Sequence, residues 1–314
     1  MFNSLKFKVI LFGFIFTFFS SFGQSYFLGL FNSSIREALS ITHGQFGSIY
    51  ASATLCSSLL LIWVGKKIDD VNIFKFAFFV TILLSFACFF FSKISSVFLL
   101  FIGIFLMRFS GQGMMSHTAS TTISRYFTKT RGRALSISWF GLSSAEFIMP
   151  VLMVYLLTII DWQNLWLIFS LSVLIILPIA SFLLIKNLNL DSREANDETI
   201  KDIEIKQWKR TEVIKDYRFY IISSNMLAMP WIFTGFAVFQ SFVQTSKGWG
   251  PYVIAQSFMS YSILSVLTLF LSGFLIDKFT SRKLLIYMNI PLLFSTFVLF
   301  QFNAQISSFF FFGL

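Results

Sequence analysis

Apolar runs long enough to cross a membrane follow one another along almost the whole chain, and they decide its fold class. They occupy roughly residues 9–31, 44–64, 74–92, 97–119, 134–159, 164–186, 219–243, 251–276 and 283–302, and a tenth begins near Ile306. A helix of about 20 apolar residues spans the hydrocarbon core of a bilayer. No water reaches backbone groups there, so only helices and closed barrels satisfy them, and runs this continuous are helical. The chain is 56% hydrophobic and 12% charged, holds 45 phenylalanines and has a mean hydropathy of +0.77, far from soluble proteins. An all-α polytopic membrane protein is expected, with the lipid bilayer as its solvent.

The net charge of +10 does not indicate nucleic-acid binding, because of where it sits. Basic residues gather in alternate loops: Lys6 and Lys8; Lys66, Lys67 and Lys75; Arg125, Lys129, Arg131 and Arg133; the 186–218 segment; then Lys278, Arg282 and Lys283. The opposite loops hold only Arg36, Lys93 and Lys247. The positive-inside bias places the N-terminus in the cytoplasm, with a bacterial inner membrane as the expected location. The first run continues to Phe31, too long for a cleaved signal peptide. Cys56 and Cys88 lie in apolar runs without framework spacing and are read as packing residues.

Residues 187–218 are the one long polar stretch and hold eight of the 14 acidic residues. They read as a cytoplasmic linker, with an amphipathic helix around Ile203–Val213. The linker separates a six-helix half, 1–186, from an incomplete second half, 219–314. A repeat supports this division. Gly65-Lys66-Lys67-Ile68-Asp69 recurs 208 residues later as Gly273-Phe274-Leu275-Ile276-Asp277-Lys278, followed by Arg282 and Lys283. Each copy is a G-x-x-x-D turn between two apolar runs, and duplicated halves are a common transporter architecture. The same offset carries Lys8 to Asp216, at the start of the seventh run, and sets Leu314 halfway along the counterpart of the fourth. About nine and a half helices of a six-plus-six parent are therefore expected, the sequence being a fragment or a truncated product.

These turns identify the chain as resembling the major facilitator superfamily. The resemblance implies a gating role for Gly65, Asp69, Gly273, Asp277, Lys278 and Arg282, each aspartate capping a neighbouring helix and pairing with a basic residue. An acid at a helix N-terminus and an acid–arginine pair both suit a latch that breaks when halves rock. The first copy has Asp70 where that family usually has a basic residue, so its latch is expected to be the weaker one. Leu106-Met107-Arg108-Phe109-Ser110-Gly111-Gln112-Gly113 is similar to the same family's fourth-helix motif.

An arginine at mid-bilayer costs about 2.5–3.5 kcal/mol on the insertion scale, so Arg108 must face the bundle and find a partner. Glu146 is the only acid deep within a run, and the two lie at similar depth. They form either a static ion pair that fixes packing or a pair lining the path of a solute or proton. Unpaired, a carboxyl in low dielectric holds a proton and carries it. Gln24, Gln112, Gln240 and Gln244 are candidates to hydrogen-bond a polar solute, and Trp231 and Trp139 to wall a cavity; interhelical bonding and packing are the alternatives. Gly141 and Pro150 share the fifth run, where Pro150 is expected to kink the helix. His43 and His117 have no metal-ligand company.

Arg125-Tyr126-Phe127-Thr128-Lys129-Thr130-Arg131-Gly132-Arg133-Ala134-Leu135 resembles the loop before the fifth helix in monocarboxylate and oxalate/formate-type transporters, and Trp208-Lys209-Arg210-Thr211-Glu212-Val213 before the seventh is similar to the oxalate/formate type. Residues 251–276 lack the arginine that such proteins often carry there, which leaves Arg108 to meet an anion. The resulting expectation is a monomeric secondary transporter, without cofactor, moving a small monocarboxylate-like solute by alternating access with a proton or other coupling ion. No nucleotide-binding loop is present. A membrane enzyme would need clustered acids or histidines, and a sensor on this scaffold a larger soluble segment.

Overall fold

The computed structural model describes residues 4–127, 130–186, 210–279 and 281–313, without the side chains of 4, 210, 269, 270, 272–274, 276–279, 281 and 282. Helices make up nearly all of it. Eight described helices are long and apolar enough to cross a membrane. Val253–Phe279, at 27 residues, lies between the last two of these, and Ile306–Gly313 begins a tenth span. Residues 187–209 lie outside the described residues, and with them most of the helix expected near 203–213; Arg210–Lys215 is helical.

The first span is not one helix. Ser4–Ser20 (α1) passes into a 3-10 turn at Ser21–Gly23, and Gln24 is extended at φ −78° and ψ 152°. Helix resumes as Ser25–Leu30 (α2) and Asn32–Leu39 (α3). The Thr42 hydroxyl and Gln45 amide then form a capping box that starts the second span, His43–Val64 (α4). The third span is Ile73–Ser92 (α5). The fourth span runs through Val97–Met107 (α6), a π-helical segment at Arg108–Met115 and Ser116–Tyr126 (α7). Arg131–Leu156 (α8) and Trp162–Ile185 (α9) complete the half.

In the second half, Tyr217–Val238 (α11, after α10 at Arg210–Lys215) is interrupted at Phe239 and continues as Gln240–Ser246 (α12). Val253–Phe279 (α13), Ser281–Tyr287 (α14), Ile290–Gln301 (α15) and Ile306–Gly313 (α16) follow.

Lipid supplies no hydrophobic drive between helices, so close backbone approach and interhelical hydrogen bonds hold the bundle. Spans three and six are joined reciprocally, with Ser85 Oγ donating to the Ser170 carbonyl (3.0 Å) and Ser170 Oγ to that of Ser85 (2.8 Å). Between α1 and α8, Thr17 Oγ1 donates to the Ser138 carbonyl at 2.6 Å. A Cβ at Gly141 would collide with the Phe14 carbonyl and Thr17 Oγ1. Gly141→Leu should therefore overpack this crossing and destabilise the protein by about 1–3 kcal/mol, read as a lower melting temperature in detergent. An unchanged melting temperature would refute the crossing. Pro150 lies inside α8, which continues through it. It removes the amide that would bond the Glu146 carbonyl four residues earlier.

Two contacts between the halves stand out among the described residues. Ser262 Oγ of α13 donates to the Ser143 carbonyl of α8. The segment α2–α3 packs against α11–α12 at the end of the bundle opposite Asp69.

Candidate functional site

Arg108 ends α6 and opens the π-helical segment, with 6% of its surface exposed. Its Nη1 donates to the Gly23 carbonyl at 2.9 Å and to Ser25 Oγ at 3.2 Å. The guanidinium lies 5.4 Å from the ring centroid of Tyr50, whose hydroxyl donates to Ser25 Oγ at 2.9 Å. Its Nε is buried without a hydrogen-bond partner. Spans one, two and four thus converge on one cation.

The break in span one makes this possible. An extended Gln24 turns the Gly23 carbonyl out of the helical ladder and toward Arg108. Glycine is required at the crossing: a Cβ at Gly23 would collide with the Met107 carbonyl, the Gln112 amide and Gly111 Cα. π-helical turns inside α-helices often mark functional sites, and here one sits against a 3-10 turn.

The expected ion pair between Arg108 and Glu146 is not formed. A carbonyl, a hydroxyl and a ring face hold the guanidinium, its Nε stays without a partner, and no carboxylate is among these contacts. Glu146, 7% exposed, lies instead on α8, which packs against α1, α2 and α13.

The other expected contacts divide. Gln24 forms the break and Gln112 lies in the π-helical segment against it, both half-buried. Gln244 and Trp139 are half-buried as well. Gln240 is 4% exposed, but its amide is engaged, Nε2 donating to the Tyr26 carbonyl at 2.9 Å. It bonds between helices rather than presenting a free amide. Trp231 is 80% exposed and separate from these groups. It lies across α11 from Met229 and Phe233, which line a cavity of about 370 Å³ with Tyr261, Thr268, Met288 and Phe312. The expectation that it walls a cavity is corrected: position in the run placed it, and helix rotation turned it outward.

At the opposite end, Gly65 opens a 3-10 turn ending at Asp69. His117 Nε2 donates to the Gly65 carbonyl at 2.9 Å. Asp69 is paired with Arg125 of α7, whose Nη1 also donates to the Ile68 carbonyl at 3.1 Å. The basic partner missing at position 70 is thus supplied from the fourth span. Both members are solvent-accessible, at 27% and 63% for the two side chains, so the pair adds little stability. A double-mutant cycle with Asp69→Asn and Arg125→Met should return a coupling below about 1 kcal/mol in thermal unfolding; a value above about 3 would mark a structural pair instead. The second copy, Gly273, Asp277, Lys278 and Arg282, lies on α13 and α14 with side chains outside the described residues. No group of three or more His, Cys, Asp or Glu suited to a metal occurs among the described residues.

Ser25, Tyr50 and Asn32 escaped the sequence reading, and Arg125 was read only as part of a basic loop, without its pairing to Asp69. Only Asn32 carried a signal, since it stands 208 residues before Gln240, the spacing of the repeated turns.

Residues 13–314 match the family profile described as Major Facilitator Superfamily. No curated protein matches the sequence. Among solved structures, a bacterial homolog to the human lysosomal transporter Spinster is similar in its inward-facing, unoccupied conformation, with a TM-score of 0.73 and 16% identity over 99% of this chain and 74% of that one. Its inward-facing, occupied conformation gives a TM-score of 0.67 and 15% identity over 99% and 72%.

Proposed function

Since the chain belongs to the Major Facilitator Superfamily, whose members are multi-pass membrane transporters, we propose that it carries a small monocarboxylate-like anion by alternating access, coupled to protons. Arg108 carries this reading. It is a buried cation held by neutral groups at the break of the first span, with an Nε–H still free to bond. A guanidinium so placed suits one carboxylate, which it meets with charge-assisted hydrogen bonds. Gln24 and Gln112 flank it as neutral hydrogen-bonding groups. Glu146, buried on α8 and unpaired with Arg108, is the proton carrier. The Asp69–Arg125 pair and its counterpart in the second repeat latch the basic, cytoplasmic end. The N-terminus lies on that side, the membrane is a bacterial inner membrane, and the working unit is a monomer.

The test is uptake into proteoliposomes of labelled acetate and lactate, beside a labelled dicarboxylate and a neutral sugar. Saturable monocarboxylate uptake, raised by an inward proton gradient, is the expected result. Saturable uptake of the sugar alone would overturn the reading.

A further inference from the structure

We propose that Asn32 and Gln240 form a two-amide clasp that closes the bundle between the halves at the end opposite Asp69, and that Arg36 sets its geometry. The inference rests on the alternating-access reading, in which a contact joining the halves at one end must open when that end opens. Asn32 Nδ2 of α3 donates to the Val238 carbonyl at the end of α11, at 2.8 Å. Gln240 Nε2, at the start of α12, donates to the Tyr26 carbonyl of α2 at 2.9 Å. Each half thus contributes one amide donor and one carbonyl acceptor.

The two donors are 208 residues apart, the spacing of the G-x-x-x-D turns, so they occupy equivalent places in the two repeats. Both lie where a span is interrupted, at Phe31 and at Phe239. Both are buried, at 0% and 4% exposure. Between them α2 and α11–α12 touch closely: a Cβ at Gly29 would collide with the Ala237 carbonyl and stand 2.7 Å from Gln240 Nε2.

Arg36 explains the orientation of Asn32. Its Nε donates to Asn32 Oδ1 at 2.7 Å. A guanidinium has no acceptor, so the asparagine must turn its oxygen to Arg36 and its NH₂ to Val238. This gives a task to one of the few basic residues in the non-basic loops. Neutral amides also suit a contact that opens repeatedly. Water replaces their bonds on opening, whereas a buried ion pair would resist being broken.

The experiment places spin labels on Ser40→Cys and Ser246→Cys, both exposed at this end, in a chain carrying Cys56→Ala and Cys88→Ala. Distances are read by double electron–electron resonance in proteoliposomes. A net neutral hydrogen bond shifts an equilibrium about fivefold. Asn32→Ala or Gln240→Ala should therefore raise the ratio of long to short distances about fivefold, the double variant about 25-fold, and Arg36→Met less than Asn32→Ala. An unchanged distribution in a monodisperse double variant overturns the clasp while leaving alternating access standing. A single distance in the parent chain at every pH and lactate concentration overturns both.

Should the double variant fail to fold, Asn32→Cys with Val238→Cys replaces it in the same background. Joining the two thiols with a short bifunctional methanethiosulfonate should stop lactate uptake, and dithiothreitol should restore it. Uptake continuing at the uncross-linked rate after complete cross-linking overturns the proposal.

Discussion

Arg108→Ala is expected to lower monocarboxylate uptake at least about 100-fold, the largest single effect anticipated in this protein. Hydrogen bonds to a charged group contribute about 1.5–3 kcal/mol each, and truncation removes both the charge and its donors. The loss should fall on binding. Arg108 also bonds the Gly23 carbonyl and Ser25 Oγ, so the variant is expected to lose some stability as well. The two effects separate in a thermal-shift titration. A bound solute stabilises the folded protein by an amount that grows with the logarithm of its concentration over Kd, so the parent should melt higher with rising lactate and the variant should not. Arg108→Lys keeps the charge and can reach the same two oxygens, yet lacks the fork and the free Nε; intermediate uptake is expected. Full uptake by a well-folded Arg108→Ala protein would remove the arginine from the binding role.

Glu146→Gln is expected to abolish accumulation driven by a proton gradient while sparing downhill exchange. Glutamine matches the glutamate in size and hydrogen bonding but exchanges no proton. With one proton per solute, a gradient of one pH unit supports about tenfold accumulation, from about 1.4 kcal/mol per unit. That ratio should fall to one in the variant, and counterflow of labelled lactate should continue. Retention of tenfold accumulation would place the proton elsewhere. The geometry argues for the assignment: the acid lies apart from the guanidinium, so protonation does not break an ion pair that holds the bundle together.

The spans were legible because apolarity over about 20 residues is a local property. The second, third, fifth and sixth runs begin and end within a few residues of α4, α5, α8 and α9. The G-x-x-x-D turns and Arg108 stood out for the same reason, as charges or glycines where a run should have none. What hydropathy did not report was interruption of the helix. Residues 9–31 read as one span, yet the chain leaves the helix at Gln24 with no proline to announce it. The π-helical turn at Arg108–Met115 was equally silent, since polar residues and glycines in a span mark a place without stating how its backbone winds. Trp231 and Gln240 were singled out by their place in the seventh run, which says nothing of the direction each side chain faces.

The sequence by itself determined an all-helical membrane protein with a duplicated plan, and it marked Arg108 and Glu146, the buried cation and the buried acid among the described residues. Tertiary structure decided what those charges touch. Pairing by sequence joined Arg108 to Glu146 because opposite charges at equal depth attract. The folded chain offered a nearer solution, a carbonyl 85 residues away that only a broken helix exposes. Composition records which groups need partners in lipid. Which partner each finds depends on where the backbone leaves its own hydrogen-bond ladder, and crossings between distant segments, such as Gly23 against Gly111, set that.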